Sequence, residues 1–155
     1  MKMIFKNISK FILIIFLLNS CGYSPMFKDF TDLIFSISIK DTFGSREINN
    51  LIIANLKNYS KLDASKKYDV VIDSEYKKNI IAKDSTGAAT EYKIIISSNF
   101  QIKSTNFNRE ISFNESFNMQ SMSNKLDEKD YEENIENNLT NTITRKLILK
   151  LSQLE

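Results

Sequence analysis

The chain has 155 residues, with 21 lysines and arginines against 19 aspartates and glutamates, no histidine and one cysteine. Without histidine, neither a Ser-His-Asp triad nor a Cys-His dyad can be assembled, and the commonest general base near neutral pH is missing. A lone cysteine makes no intrachain disulfide and leaves no set of zinc ligands, so stability has to come from a packed core.

The N-terminus reads as a leader. Lys2, Lys6 and Lys10 form a basic region, Phe11 to Leu18 is an unbroken apolar run, and Asn19-Ser20-Cys21-Gly22 closes it. A bilayer span needs roughly 20 apolar residues; this run is too short and has the length of a secretory h-region. Leu18-Asn19-Ser20-Cys21 resembles a bacterial lipobox, the Leu-x-small-Cys site where the cysteine is acylated and becomes the mature N-terminus. Residues 1–20 are therefore expected to be a lipoprotein signal peptide and residues 21–32 a lipidated tether. The single domain is expected over residues 33–155. The leader holds three lysines and no acid, so the rest carries eighteen cationic against nineteen anionic side chains. A basic nucleic-acid footprint is not supported.

The first element after the tether is a strand. Phe35, Ile37 and Ile39 alternate with Ser36, Ser38 and Lys40, which gives one apolar and one polar face. Ser45 suits the N-cap of a helix running to about Tyr59, with Ile48, Leu51, Ile52, Leu56 and Tyr59 on one stripe. Tyr68, Val70 and Ile72 begin a second strand that continues toward Ala82, and Asp84-Ser85-Thr86-Gly87 reads as a turn. Thr90 to Lys103 forms a long strand with Tyr92, Ile94, Ile96, Ser98, Phe100 and Ile102 on one face. After a turn at Asn106-Phe107-Asn108, a fourth strand runs from Glu110 to Met119 with Ile111, Phe113, Phe117 and Met119 inward. Glu115 interrupts that row, which suggests a bulge or an exposed end.

The last segment reads as a helix capped by Asp127. Acids crowd its start, Arg145, Lys146 and Lys150 lie near its end, and both match the helix dipole. Tyr131, Ile135, Leu139, Ile143, Leu147 and Leu151 recur every four residues, with Ile148 beside them. The order strand, helix, strand, strand, strand, helix predicts an α+β fold. Its architecture is a two-layer sandwich, a four-stranded, mixed and mostly antiparallel sheet covered on one face by two helices. No G-x-G-x-x-G or P-loop occurs. Asp127, Glu128, Asp130, Glu132 and Glu133 read as acids dressing a helix N-terminus rather than as a metal or acid–base cluster. An enzyme is disfavoured, and the parity break at Glu115, with Glu91 beside it in kind, is the one feature pointing the other way.

Two segments carry a family resemblance. Cys21-Gly22-Tyr23-Ser24-Pro25-Met26-Phe27 is similar to the Cys-Gly-aromatic-x-Pro-hydrophobic-aromatic start of the LPS-assembly lipoproteins, the LptE family. Gly87-Ala88-Ala89-Thr90-Glu91-Tyr92-Lys93-Ile94 resembles that family's strand, where a small-residue turn enters an Ala/Thr-rich alternating stretch, and Lys83-Asp84 before it also fits. The helix ending Thr144-Arg145-Lys146-Leu147 is again similar.

The resemblance implies a non-enzymatic lipoprotein on the periplasmic side of the outer membrane, held by diacylglycerol and an N-acyl chain on Cys21 and needing no other cofactor. Its implied partners are an LptD-type β-barrel, which it plugs and helps to assemble, and lipopolysaccharide; nucleic acid is not among them. The polar strand positions Ser36, Ser38, Lys93, Ser97, Asn99, Gln101 and Lys103 suit a water-filled barrel lumen. Lys83 and Lys125 fall where the family places lipopolysaccharide-binding basic residues, although the Asp84–Gly87 turn lacks the basic and aromatic residues of a longer family loop. Phe107, at a hairpin tip, is a candidate partner contact or folds back on the core. The competing class is a lipid carrier or membrane-bridging lipoprotein without a barrel, which requires an apolar cavity.

Overall fold

Strict alternation forces a sheet with one apolar face, and in the computed structural model, which describes residues 35–60, 64 and 66–154, both helices lie against that face. The elements are β1 (Phe35–Gly44), α1 (Arg46–Lys57), β2 (Lys66–Lys83), β3 (Ala89–Lys103), β4 (Asn108–Gln120) and α2 (Lys125–Ser152). The strands lie in the order β1-β2-β3-β4. β1 and β2 are parallel, with α1 as their crossover, whereas β2–β3 and β3–β4 are antiparallel. The expected α+β sandwich with a mixed four-stranded sheet is the fold observed. The leader and tether, including Cys21, lie outside the described residues.

The even-numbered row of the two central strands forms the floor of the core. Tyr68, Val70 and Ile72 of β2 and Ile94, Ile96, Phe100 and Ile102 of β3 are buried. Val70 stands opposite Ile102 and Ile72 opposite Phe100, so adjacent strands bury the same row. α1 adds Ile48, Ile52 and Leu56, and α2 adds Ile143, Leu147, Ile148 and Leu151. The Tyr68 hydroxyl donates toward the carbonyls of Leu151 and Leu154 at 3.3 Å each, so the buried phenol ties β2 to the end of α2. Farther along the sheet a separate cluster joins Ile94, Met119 and Ile135, with Tyr76, Tyr92 and Leu139 packed against it.

The junction after β1 is a polar clamp. Gly44 has φ +78°, and the Ser45 amide donates to the Ser74 carbonyl at 2.6 Å. The Asn49 amide donates to the Phe43 carbonyl at 2.7 Å, and the Ser74 hydroxyl donates to Asn49 Oδ1 at 2.7 Å. A Cβ on residue 44 would meet the Ser74 carbonyl oxygen at 2.0 Å, so the close approach requires glycine as much as the dihedral does. Ser45 caps α1 as expected, accepting from the Ile48 amide at 3.4 Å.

Several sequence expectations are corrected. α1 stops at Lys57, not Tyr59, and β1 continues past Lys40 to Gly44 through a register shift between Ile39 and Asp41. Asn124, not Asp127, caps α2: its side chain accepts from the Leu126 amide at 3.0 Å, which leaves Asp127 in the first turn. Residues four apart on a helix drift about 40° per step. The Tyr131–Leu151 stripe therefore cannot all face inward, and Tyr131 is 36% exposed while Thr140 and Thr144 are buried. Glu115 causes no bulge, since β3 and β4 pair in unbroken register from Glu91–Gln120 to Lys103–Asn108. It stays on the helix-facing row, where Lys146 of α2 pairs with it.

Candidate functional site

β1 ends opposite Ser74, so β2 and β3 run on together as an extended hairpin. From Ser74 to Lys83 that extension is about 30 Å long at the usual rise of a strand. It ends in the Asp84–Ala88 turn. The β4–α2 loop is at the same end, because the Ser121 amide donates to the Thr90 carbonyl at 2.9 Å. Lys83, the last residue of β2, and Lys125, the first of α2, are thus brought to one end of the sheet.

The turn holds its own acid. Asp84 Oδ1 accepts from the Thr86 hydroxyl and amide at 2.7 and 2.8 Å and from the Ala88 amide at 3.0 Å. The Thr86 hydroxyl, then these amides, hold the Asp84 carboxyl below the ordinary range. Asp84 is committed to the turn, and Lys83 beside it is exposed and forms no ion pair with a described residue.

Lys125 is differently placed. It is exposed, but its ammonium is 2.8 Å from Glu128 and 3.3 Å from the Ser121 hydroxyl. Glu128 is buried and also accepts from the Ser121 hydroxyl at 2.9 Å and the Met122 amide at 2.8 Å. These donors, Lys125 first, pull its carboxyl down to about 2. Pairing with Glu128 raises the Lys125 ammonium in turn. One carboxylate therefore organises the loop that presents Lys125.

Behind this loop lies a network that the sequence reading missed. Lys78 is on the helix-facing row of β2, 2.6 Å from Glu132 and 3.9 Å from Glu128. Its ammonium sits 4.3 Å from the centre of the Tyr92 ring. The Tyr76 hydroxyl donates to Glu132. Burial, then this carboxylate, pushes the Tyr76 phenol far up, and burial raises the Glu136 carboxyl. The signal was present: a lysine on the parity of Tyr68, Val70 and Ile72 must have a partner when it is covered. Glu128 and Glu132, four apart on a helix, supply one.

Phe107 is at the other end of the sheet, in the turn closed by the Ser104 amide donating to the Phe107 carbonyl at 2.9 Å. Its half-buried ring lies 6.1 Å from Tyr68, and Arg109 stacks over it at 5.7 Å. The ring folds back toward the core and is far from the two lysines. The helix-free sheet face is polar, as expected. Asn99 donates to Glu110, the Ser112 hydroxyl donates to Asn99 at 3.2 Å, and Asn114 donates to the Ser97 hydroxyl at 3.0 Å. An apolar groove of about 410 Å³ lies between β1 and α1, lined by Ile37, Ile39, Ile53 and Leu56 with Lys57 and Ser60. Among the described residues no three acids or cysteines gather as metal ligands.

Comparison with known proteins locates this fold. The family model described as LptE, lipopolysaccharide-assembly, matches residues 31–151. No curated protein matches. Among solved structures, rare lipoprotein B from Shewanella oneidensis aligns with TM-score 0.58 at 13% identity, covering 77% of this chain and 93% of that one. A lipoprotein from Caulobacter crescentus aligns with TM-score 0.53 at 11% identity, covering 74% and 88%. The minor lipoprotein of Acinetobacter baumannii aligns with TM-score 0.51 at 9% identity, covering 77% and 91%. At such identities the likeness is one of fold.

Proposed function

Because this chain belongs to the LptE lipopolysaccharide-assembly family, we propose that it is an outer-membrane lipoprotein that plugs and helps to assemble an LptD-type β-barrel, through which lipopolysaccharide reaches the cell surface. The observation that carries this reading is the family match over residues 31–151. The polar, helix-free sheet face is compatible with it, since the lumen of a large barrel is polar and wet. The chain does no chemistry in this role. Cys21 anchors it on the periplasmic side through a diacylglycerol and an amide-linked acyl chain. At about 0.8 kcal/mol per buried CH₂, several chains hold far more firmly than one.

In the same reading Lys83 and Lys125 contact lipid A phosphates at the end of the sheet that carries the β2–β3 turn. An ammonium is a compact charge suited to a phosphate oxygen. The groove between β1 and α1 is the feature that favours a lipid carrier acting without a barrel, and that reading requires lipid to be extracted with the protein. Depletion separates the two. Loss of the chain should lower the amount of folded barrel and stop new lipopolysaccharide from reaching the surface. Normal barrel levels with normal surface lipopolysaccharide would overturn the proposal.

A further inference from the structure

Every described element starts or stops at the end of the domain where the chain enters β1. Phe35 pairs with Lys66, so β1 and β2 start there together. Asp69 stands opposite Lys103 and Lys103 opposite Asn108, which puts the end of β3 and the start of β4 at the same level. α1 returns to it, since Ser60 just beyond the helix accepts from the Ile37 amide at 2.9 Å. α2 finishes there too, where the Lys66 ammonium donates to the Leu154 carbonyl at 3.4 Å.

That end is basic. Lys66 and Arg109 are on the helix-facing row, Lys67 and Lys103 on the helix-free row, so the charge rings the end of the sheet. Lys57 and Lys150 add to it from the last turns of α1 and α2, where they also answer the helix dipoles. All six are exposed, and none forms an ion pair with a described residue. Among the described residues the carboxylates nearby are Asp69, 3.2 Å from Lys40, and Glu110, which accepts from Asn99. Arg109 stacks over Phe107, which holds its planar donors at the surface. At the hairpin end, by contrast, Lys78, Lys125 and Lys129 are paired with Glu132, Glu128 and Glu133.

Residues 21–34 reach at most about 50 Å when fully extended. An acylated Cys21 therefore holds the basic end within that distance of its leaflet, while the β2–β3 turn is about 60 Å farther along β2. An unpaired cation beside an anionic leaflet strengthens the contact about fivefold.

We propose that the basic end docks on the anionic phospholipid headgroups of the leaflet that holds the anchor, and so points the β2–β3 hairpin away from that surface. This contact rests on the anchor reading of Cys21. It uses the end of the domain alone and leaves the polar sheet face and the hairpin free for a barrel.

The test uses the full lipoprotein purified from membranes and reconstituted in vesicles of phosphatidylcholine, or of phosphatidylcholine and phosphatidylglycerol at three to one. A fluorophore on Thr105→Cys, in the β3–β4 turn, should transfer energy strongly to a headgroup acceptor in the mixed vesicles. The transfer should fall in pure phosphatidylcholine and in 1 M salt, where the screening length is about 3 Å. A label on Ser85→Cys, at the hairpin turn, should stay low throughout. Lys67→Gln with Lys103→Gln should lower the ratio of docked to undocked chain about 25-fold. Arginine at both positions should keep it, and Lys129→Gln at the far end should not change it. Transfer from residue 105 that is equal in the two vesicles, lower than from residue 85, or indifferent to the Lys67 and Lys103 variants would overturn the proposal. The parent chain, its one thiol held as a thioether, should take no label. A labelled Cys21 would fault the anchor reading instead, and flotation of the same variants with mixed against neutral vesicles would then decide the contact.

Discussion

Lys83 and Lys125 lie at one end of the sheet, yet they should not contribute equally to binding a phosphorylated lipid. Lys83 is exposed and unpaired among the described residues, so a phosphate meets its full charge. Lys125 already holds Glu128 at 2.8 Å, and a phosphate must share that ammonium with a carboxylate that stays ionised to about pH 2. An exposed charge pair is worth about 0.2–1 kcal/mol. Lys83→Ala should therefore weaken lipopolysaccharide binding by about fivefold, the upper end of that range, and Lys125→Ala by about twofold or less. The double variant should lose about tenfold if the two contacts are independent. Glu128→Gln releases the Lys125 ammonium and should raise the effect of Lys125→Ala to that of Lys83→Ala. The assay is calorimetric titration of lipopolysaccharide into the full chain in detergent at two salt concentrations, because exposed charge pairs are screened by salt. Thermal melts should show Lys83→Ala within about 0.5 kcal/mol of the parent, whereas Lys125→Ala also takes the first partner from the buried Glu128 carboxylate and should be the less stable of the two. A larger loss from Lys125→Ala than from Lys83→Ala, or no loss and no salt dependence, would refute the reasoning.

Other expectations follow from the same geometry. Gly44→Ala combines a left-handed φ, at about 1–2 kcal/mol, with loss of the Ser45–Ser74 hydrogen bond, at about 1 kcal/mol. It should lower the melting temperature by about 10 °C. Gly87→Ala has a similar φ of +87° but meets nothing within 4 Å, so it should cost only the dihedral penalty of about 1 kcal/mol; equal losses at the two glycines would contradict the clash. Glu128 has its folded carboxyl lowered from 4.5 to about 2, so its contribution is complete above pH 4.5 and fades as pH falls toward 2. Glu136, raised by burial, acts above 4.5 and leaves that window clear. Acid unfolding of Glu128→Gln should be visibly flatter between pH 4.5 and 2, and an unchanged curve would remove Glu128 from the account. Mass spectrometry of the mature N-terminal peptide should show Cys21 carrying a diacylglycerol and an amide-linked acyl chain, and an unmodified Cys21 would exclude the lipid anchor.

The sheet was legible because its central strands bury a strict alternation: Tyr68, Val70 and Ile72 opposite Ile102 and Phe100 leave no second register that keeps charge out of the core. The cap of α1 was legible because Ser45 follows a glycine and precedes a periodic stripe. The start of α2 was not, since Asn124, Asp127 and Asp130 are all capable caps and the choice depends on where the chain leaves β4. The network of Lys78, Glu128, Glu132 and Tyr76 was hidden because its members are up to 56 residues apart and meet only when α2 crosses the hairpin extension. Phe107 could not be assigned from a hairpin tip alone; its direction is set by Tyr68, which the turn brings alongside. The placement of Lys83 and Lys125 at one end is a consequence of topology, because an antiparallel β2–β3–β4 meander puts the end of β2 beside the end of β4.

The central claim is the partnership with a barrel, and affinity purification tests it most directly. The chain carrying a C-terminal tag, expressed at its native level and extracted from outer membranes in mild detergent, should bring down a large outer-membrane β-barrel in about one-to-one amount, as expected for a complex that buries a specific interface. Recovery of the chain alone, or with bound lipid and no barrel, would contradict the account.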